Sequence, residues 1–238
     1  MKIRKSYVGV VFTLVVGYFL VYYAMHSIDV YVPVSTPQAN DNFVIVLDAG
    51  HGGMDGGGTS VNGALEKDIN LSIVLKVRDM CESFGYKVVV TRDTDKSIHN
   101  DGVKGVRKQK LSDMDNRLAI FNKYDNSINL SIHQNLYTQP QYNGAQMFFA
   151  KSNPSNEKLA NIMRSEFVAQ IQPKNTRETK EVGKELYLCY FTKNPSLMIE
   201  CGFLSNPEEA AKLETEEYQS QVAFTIFSGI NKFLSSNK

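Results

Sequence analysis

Three strand-like runs in this chain each hand over to a residue that can do chemistry. Phe43-Val-Ile-Val-Leu47 opens through Asp48-Ala-Gly onto His51, Ser127-Ile-Asn-Leu-Ser-Ile132 ends on His133, and Leu197-Met-Ile leads to Glu200. An uninterrupted apolar run fits a strand buried on both faces, as in a parallel sheet. Between these runs lie segments with helical spacing. Asp68–Phe84 carries Ile69, Ile73, Val77, Met80, Cys81 and Phe84 on one stripe and is stopped by Gly85. Further helices are expected over Ser112–Tyr124, with Ser112 as N-cap, over Pro154–Gln172, with Pro154 in the first turn, and over 208–213 and 218–234. Tyr86–Val90, Gly144–Ala150 and Glu185–Tyr190 read as strands, and Thr94–Lys110 as a polar, basic loop. Strands alternating with helices predict an α/β fold, a single domain built on a mostly parallel twisted sheet with helices on both faces. In such sheets sites gather outside the carboxyl ends of the strands, where His51, His133 and Glu200 all fall.

The first 42 residues stand apart. Tyr7–Met25 is 19 residues without a charge, preceded by Lys2, Arg4 and Lys5. That is near the length of a membrane-crossing helix, and the flanking cations favour a cytoplasmic N-terminus. Residues 1–28 are therefore expected to be a membrane anchor or signal segment, 29–42 an extended tether containing Pro33 and Pro37, and 43–238 the catalytic domain. Anchor and signal readings alike put the domain outside the cytoplasm. With 26 basic and 25 acidic residues the chain is nearly neutral. No basic stripe points to nucleic acid, so no nucleic-acid partner is expected. Cys81, Cys189 and Cys201 show no CxxC spacing and are expected to pack in the core.

His51, Glu66 and His133 can supply two imidazoles and one carboxylate to a zinc ion. This is a recurrent catalytic set, because it leaves a fourth position open. Glu200, at a strand mouth, is then a candidate general base. The spacing by itself also allows plainer roles: a loop cap for His51, a core histidine for His133 and a helix-start charge for Glu66. Asp48 and Asn135 are candidates for orienting ligands or substrate, or for stabilising turns. Arg92 and Arg117 are candidates for substrate carboxylates or for internal ion pairs. His99 is expected on the surface of a polar loop. No G-x-S-x-G elbow is present, which argues against a serine hydrolase.

The segments VIVLDAGHGG, GALEKDINL, VVVTRDTD, RLAIFN, SIHQN and LMIECGFLSNPEEA occur in this order over about Phe43 to Phe233. Together they resemble the zinc-dependent N-acetylmuramoyl-L-alanine amidases (amidase type 3). The resemblance implies zinc ligands at His51, Glu66 and His133 and a catalytic glutamate at Glu200. It also implies hydrolysis of the amide between N-acetylmuramic acid and L-alanine in peptidoglycan. The short, anchor-led form most resembles the spore-cortex type of endospore formers, which prepares muramic acid for conversion to muramic-δ-lactam ahead of germination. Little room remains between His133 and Glu200 for a blocking helix, so zinc occupancy or an accessory activator protein is expected to set activity. A zinc peptidoglycan carboxypeptidase or endopeptidase, or a non-catalytic wall-binding module, would share much of this pattern.

Overall fold

The computed structural model describes residues 43–236 and Tyr18. The expected anchor and tether thus lie outside the described residues, apart from Tyr18. Among the described residues no helix is long and apolar enough to cross a membrane.

Chain order is β1 (Val44–Ala49), α1 (Glu66–Ser83), β2 (Lys87–Val90), α2 (Val106–Phe121), β3 (Ser127–Asn135), β4 (Gln146–Phe149), α3 (Asn156–Gln170), β5 (Lys180–Glu181), α4 (Tyr187–Phe191), β6 (Ser196–Phe203), α5 (Pro207–Leu213) and α6 (Glu216–Ser235). The six strands form one sheet in the order β2-β1-β3-β6-β4-β5. β2, β1, β3 and β6 run parallel, and β4 joins β6 antiparallel.

Strand register explains the core. Ile45 sits opposite Ile128, Leu47 opposite Leu130, and Ala49 opposite Ile132. Leu130 and Ile132 in turn face Leu197 and Ile199 of β6. These side chains project to one face, where α1, α3 and α6 cover them with Ile73 and Val77, Met163 and Phe167, and Val222 and Ile226. The other face is thinner. Val44 and Val46 meet Phe121 of α2 and Leu188 of α4. With a side-chain period of two, β3 presents Ser127, Asn129, Ser131 and His133 to this second face, and β6 presents Ser196, Met198 and Glu200. The polar row is satisfied internally: Ser131 Oγ donates to Asp48 and Asn129 Nδ2 to Thr192. It leads directly to the site.

Two elements depart from expectation. Glu185–Tyr190, expected as a strand, contains the start of the short helix α4. Its adjacent apolar residues Leu188 and Cys189 are both buried, which suits a helical turn laid across the sheet rather than an alternating strand. Helix α2 begins at Val106, not Ser112. Gly105, at φ 90°, turns the chain into the helix, while the Ser112 hydroxyl accepts the Asn100 N–H instead of capping. The C-terminal half of the expected 94–110 loop is therefore partly helical. The three cysteines are free and buried, and burial pushes the Cys81 and Cys189 thiols up to about 12.

Candidate metal centre

The site forms where β1, β3 and β6 end and α1 begins. His51 follows β1 in a tight loop closed by reciprocal backbone bonds between Gly52 and Asp55 (2.8 and 3.1 Å). At φ 63° it is the one non-glycine residue with positive φ among the described residues. That left-handed conformation is uncommon for a side chain of this size. It is held by Arg117, which donates to the His51 carbonyl at 2.6 Å, and by Asp55, whose Oδ2 lies 3.0 Å from His51 Nδ1.

Glu66 is the first residue of α1 and is buried. Its carboxylate is fixed mostly by backbone: Gly58 N–H donates to Oε2 (2.8 Å) and Gln134 N–H to Oε1 (3.1 Å). Asn70, one turn along α1, donates to Oε1 at 3.3 Å. The two histidines close on the same carboxylate, His51 Nε2 at 3.2 Å from Oε2 and His133 Nδ1 at 3.0 Å from Oε1. Their rings meet edge to face, 5.0 Å between centroids. One ligand atom from each of His51, Glu66 and His133 lies within 4.8 Å of the others. Glycine is required around them: a Cβ on Gly50 would stand 2.2 Å from the His133 ring, and one on Gly57 would stand 2.6 Å from Glu66 Oε2.

Electrostatics follow from this packing. Burial opposes the charge on His51, but hydrogen bonds to Glu66 and Asp55, and their charges, raise it to about 9. Burial would raise Glu66, yet the two imidazoles hold it well below the ordinary carboxylate range. Glu200 stands beside His133 in the β3–β6 register. Burial, reinforced by the Glu66 charge and opposed by the two histidines, pushes its carboxyl up to about 7. Its Oε2 is buried without a hydrogen-bond partner. A buried, unpartnered carboxylate oxygen is rare in folded proteins, and a catalytic role is one of the reasons such a group is kept.

The donor set suits zinc: borderline nitrogen and oxygen ligands, three in number, with a carboxylate behind one imidazole. Asp55 fills that supporting role for His51, and Asn70 does so for Glu66. Neither was singled out from sequence, nor was Gln134. A signal existed for Asn70, a polar residue one turn after Glu66 inside the buried stripe of α1.

The remaining candidates lie beneath the loop. Asp48 is buried and accepts from Arg117 (2.5 Å), Thr91 (2.7 Å) and Ser131 (2.6 Å). Burial would raise its carboxyl, but Arg117 and these hydroxyls hold it below the usual value. Asp48 touches neither histidine; it acts through Arg117. Arg117, 2% exposed, also donates to the Ala49 and His51 carbonyls and pairs with Asp113. Arg92, 1% exposed, donates to the carbonyls of Ala49, Gly50, Lys67 and Thr94. Both guanidiniums are engaged by internal partners, as the internal-pairing alternative expects. Asn135 ends β3 half-buried, its carbonyl accepting from Leu204 N–H. His99 is also half-buried rather than on the surface, bonded to Ser97 and Gln109.

Known proteins share this arrangement of chain. The germination-specific N-acetylmuramoyl-L-alanine amidase of Bacillus subtilis is 33% identical over 236 residues, covering 99% of this chain and 97% of that protein. The structure of the CwlD amidase from Clostridioides difficile in complex with the GerS lipoprotein matches with a TM-score of 0.78 and 37% identity, over 81% of this chain and 98% of that one. AmiC2 of Nostoc punctiforme, an N-acetylmuramoyl-L-alanine amidase, matches at 0.70 and 29% identity, over 82% and 98%. The family model described as N-acetylmuramoyl-L-alanine amidase matches residues 45–232, and this chain belongs to that family.

Proposed function

We propose that this chain is a zinc hydrolase that cleaves the amide between the lactyl group of N-acetylmuramic acid and L-alanine in peptidoglycan, with Glu200 as its general base. The observation that carries the reading is the convergence of His51, Glu66 and His133 beside a glutamate with a buried, unpartnered oxygen. His51, Glu66 and His133 hold the ion; when bound, zinc supplies polarisation of the amide carbonyl and acidification of water near neutrality. Glu200 accepts a proton from water as the oxygen attacks, then delivers it to the alanine nitrogen as the C–N bond breaks. Water and amide are consumed, and a carboxyl and an amine are formed. His51 and His133 are kept in orientation by Asp55, by the β3 backbone and by the ring contact between them. The buried Arg92 and Arg117 keep the loop carrying His51 from relaxing.

The biological setting is a finer proposal. Likeness to a germination-specific amidase supports a role in maturation of the spore cortex toward muramic-δ-lactam. The neighbour crystallised with a lipoprotein supports an accessory protein partner for this chain as well. Residues 1–28 anchor or export the domain, and the enzyme works outside the cytoplasm, in the cortex space of an endospore former.

The test is mass spectrometry of products after zinc-loaded protein is incubated with peptidoglycan, beside Glu200→Gln. Free peptides beginning with L-alanine are expected from the parent, with a loss of roughly 10²- to 10⁴-fold in the variant at unchanged zinc content. Cleavage within the peptide would instead make it a peptidase.

A further inference from the structure

Beside the metal centre a cavity of about 180 Å³ opens between α2 and α4. His51 and His133 form one end. Leu188 and Met198 line it from α4 and β6, and Met54 and Met114 from the loop after β1 and from α2. These walls are apolar, but the charges on them are not symmetric. Asp48 and Asp113 pair with Arg117, Asp55 pairs with His51 and Lys110, Glu185 is exposed, and Lys110 of α2 has its side chain 48% exposed. Arg117, the other cation lining the cavity, is buried and fully engaged. We propose that Lys110 is the anchoring point for a carboxylate of the stem peptide, so that the groove along α2 is the subsite for an acidic peptide leaving group. The inference rests on the amidase reading and names what that site selects.

Three observations carry it. Lys110 Nζ contacts Asp55 Oδ1 at 2.8 Å, and the other oxygen of Asp55 contacts His51 Nδ1 at 3.0 Å. The ammonium is therefore within on the order of 10 Å of the metal-facing edge of His51 along that path, the reach of two to three extended residues. A peptide joined through its amine to muramic acid carries its free carboxylate at the far end, so a short stem places a carboxylate at this range. Second, Lys110 continues an exposed basic run. Arg107 lies one turn earlier on the same face of α2, with Lys104 and Lys108 close by, and none of these three makes an ion pair among the described residues. Third, that run is not there for the helix. Cations in the first turns of a helix oppose its dipole, and α2 has neither an acidic first-turn residue nor a side-chain cap to offset them. An acidic ligand along this face relieves the repulsion.

Asp55 presents a competing role. Lys110 neutralises part of the charge behind His51 and would support the ligand whatever the substrate. The experiment must separate recognition from support, and the substrate rather than the protein supplies the contrast. Two L-alanyl tripeptides, one ending in a carboxylate and one in a carboxamide, are titrated into the zinc-loaded full chain by calorimetry. In parallel the corresponding N-acetylmuramoyl peptides are assayed for KM and kcat. The parent protein is expected to favour the carboxylate by roughly fivefold in Kd and in KM, with the preference shrinking as salt rises. Lys110→Gln brings the ratio toward one, and Lys110→Glu inverts it. No preference in the parent overturns the proposal. So does a preference that survives in Lys110→Gln, or a loss in that variant equal for both ligands, which would assign Lys110 to support of Asp55 alone. Because peptide binding is read without turnover, absence of amide cleavage would count against the amidase reading and leave the binding ratios to decide the subsite.

Discussion

Replacing Asn70 with alanine tests whether the metal centre is held by the interior of α1. Asn70 is fully buried. Its Nδ2 donates to the Gly50 carbonyl (3.2 Å) and to Glu66 Oε1 (3.3 Å), and its Oδ1 accepts from Gln134 Nε2 (3.1 Å). After truncation the Gly50 carbonyl keeps Arg92 and Glu66 Oε1 keeps the Gln134 backbone N–H. The Gln134 side chain keeps only its weak hydrogen bond to the Cys201 sulfur, because its Oε1 is already without a partner. An orphaned buried amide costs about 1–3 kcal/mol. The small void left by the carboxamide adds about 1 kcal/mol. A destabilisation of roughly 2–4 kcal/mol corresponds to a Tm lowered by about 5–15 °C for a domain of this size. Glu66 would also lose its one side-chain donor other than the histidines, and zinc affinity should fall about 10- to 100-fold. Scanning calorimetry and competition with a chelating dye read the two effects separately. Adding Gln134→Leu removes the orphaned amide and should restore part of the stability but none of the affinity. If Asn70→Ala binds zinc within twofold of the parent and melts within 2 °C of it, the network does not hold the ligand.

Three other perturbations follow from the same geometry. His51 is raised from 6.5 to about 9 in the metal-free site; that stabilisation is complete below pH 6.5 and is lost as pH climbs through 9. Stripped protein should therefore lose on the order of 3 kcal/mol across that window, whereas zinc-loaded protein, in which the ion replaces the proton, should show a flatter Tm profile. Gly50→Ala puts a methyl 2.2 Å from the His133 ring, so the ring must move by about 1 Å; zinc content by elemental analysis should fall well below one per chain while circular dichroism stays folded. Arg117→Lys keeps the charge but loses the fork that reaches Asp48, Asp113 and the Ala49 and His51 carbonyls together. Chemical denaturation should show a loss of roughly 1–3 kcal/mol, the cost of leaving a buried acceptor without its donor.

The parts of the fold readable from sequence are those whose cause is local. A continuous apolar run marked β1, because a strand covered on both faces has no solvent side to alternate toward, and the alternating Ile128, Leu130 and Ile132 marked β3. The stripe through Ile69, Ile73 and Val77 marked α1. Where the cause is distant, reading failed. Glu185–Tyr190 reads as a strand, yet Tyr187–Phe191 folds as α4 and buries the adjacent Leu188 and Cys189 together. For Arg92 and Arg117 the sequence leaves substrate carboxylates and internal ion pairs both open, since nothing in it shows that the loop after β1 turns its carbonyls inward. Inward carbonyls need donors, and a buried guanidinium offers five. The candidate ligands His51, Glu66 and His133 and the candidate base Glu200 stand out through their places after strands or at a helix start together with the family resemblance, since spacing alone also allows plainer roles. Asp55, Asn70 and Gln134 do not, because their partners are set by how β1, α1 and β3 meet.

The source of the donors that fix Glu66 decides how metal binding relates to folding. Two of its three donors other than the histidines are backbone N–H groups, from Gly58 and Gln134. They are in place once β3 is paired and the glycine loop is closed. The histidines, too, are positioned by β1–β3 pairing and by Asp55 rather than by an ion. In the absence of metal, protons on the imidazoles bridge them to the carboxylate, which is why His51 is raised and Glu66 lowered. Small zinc domains fold only when the ion gathers their ligands; here an apolar core built on β1, β3, β4 and β6 and the helices α1, α3 and α6 does the gathering. Zinc should therefore bind to a site already formed, displacing protons from the imidazoles. Its uptake should consequently weaken as pH falls, while the metal-free domain remains folded.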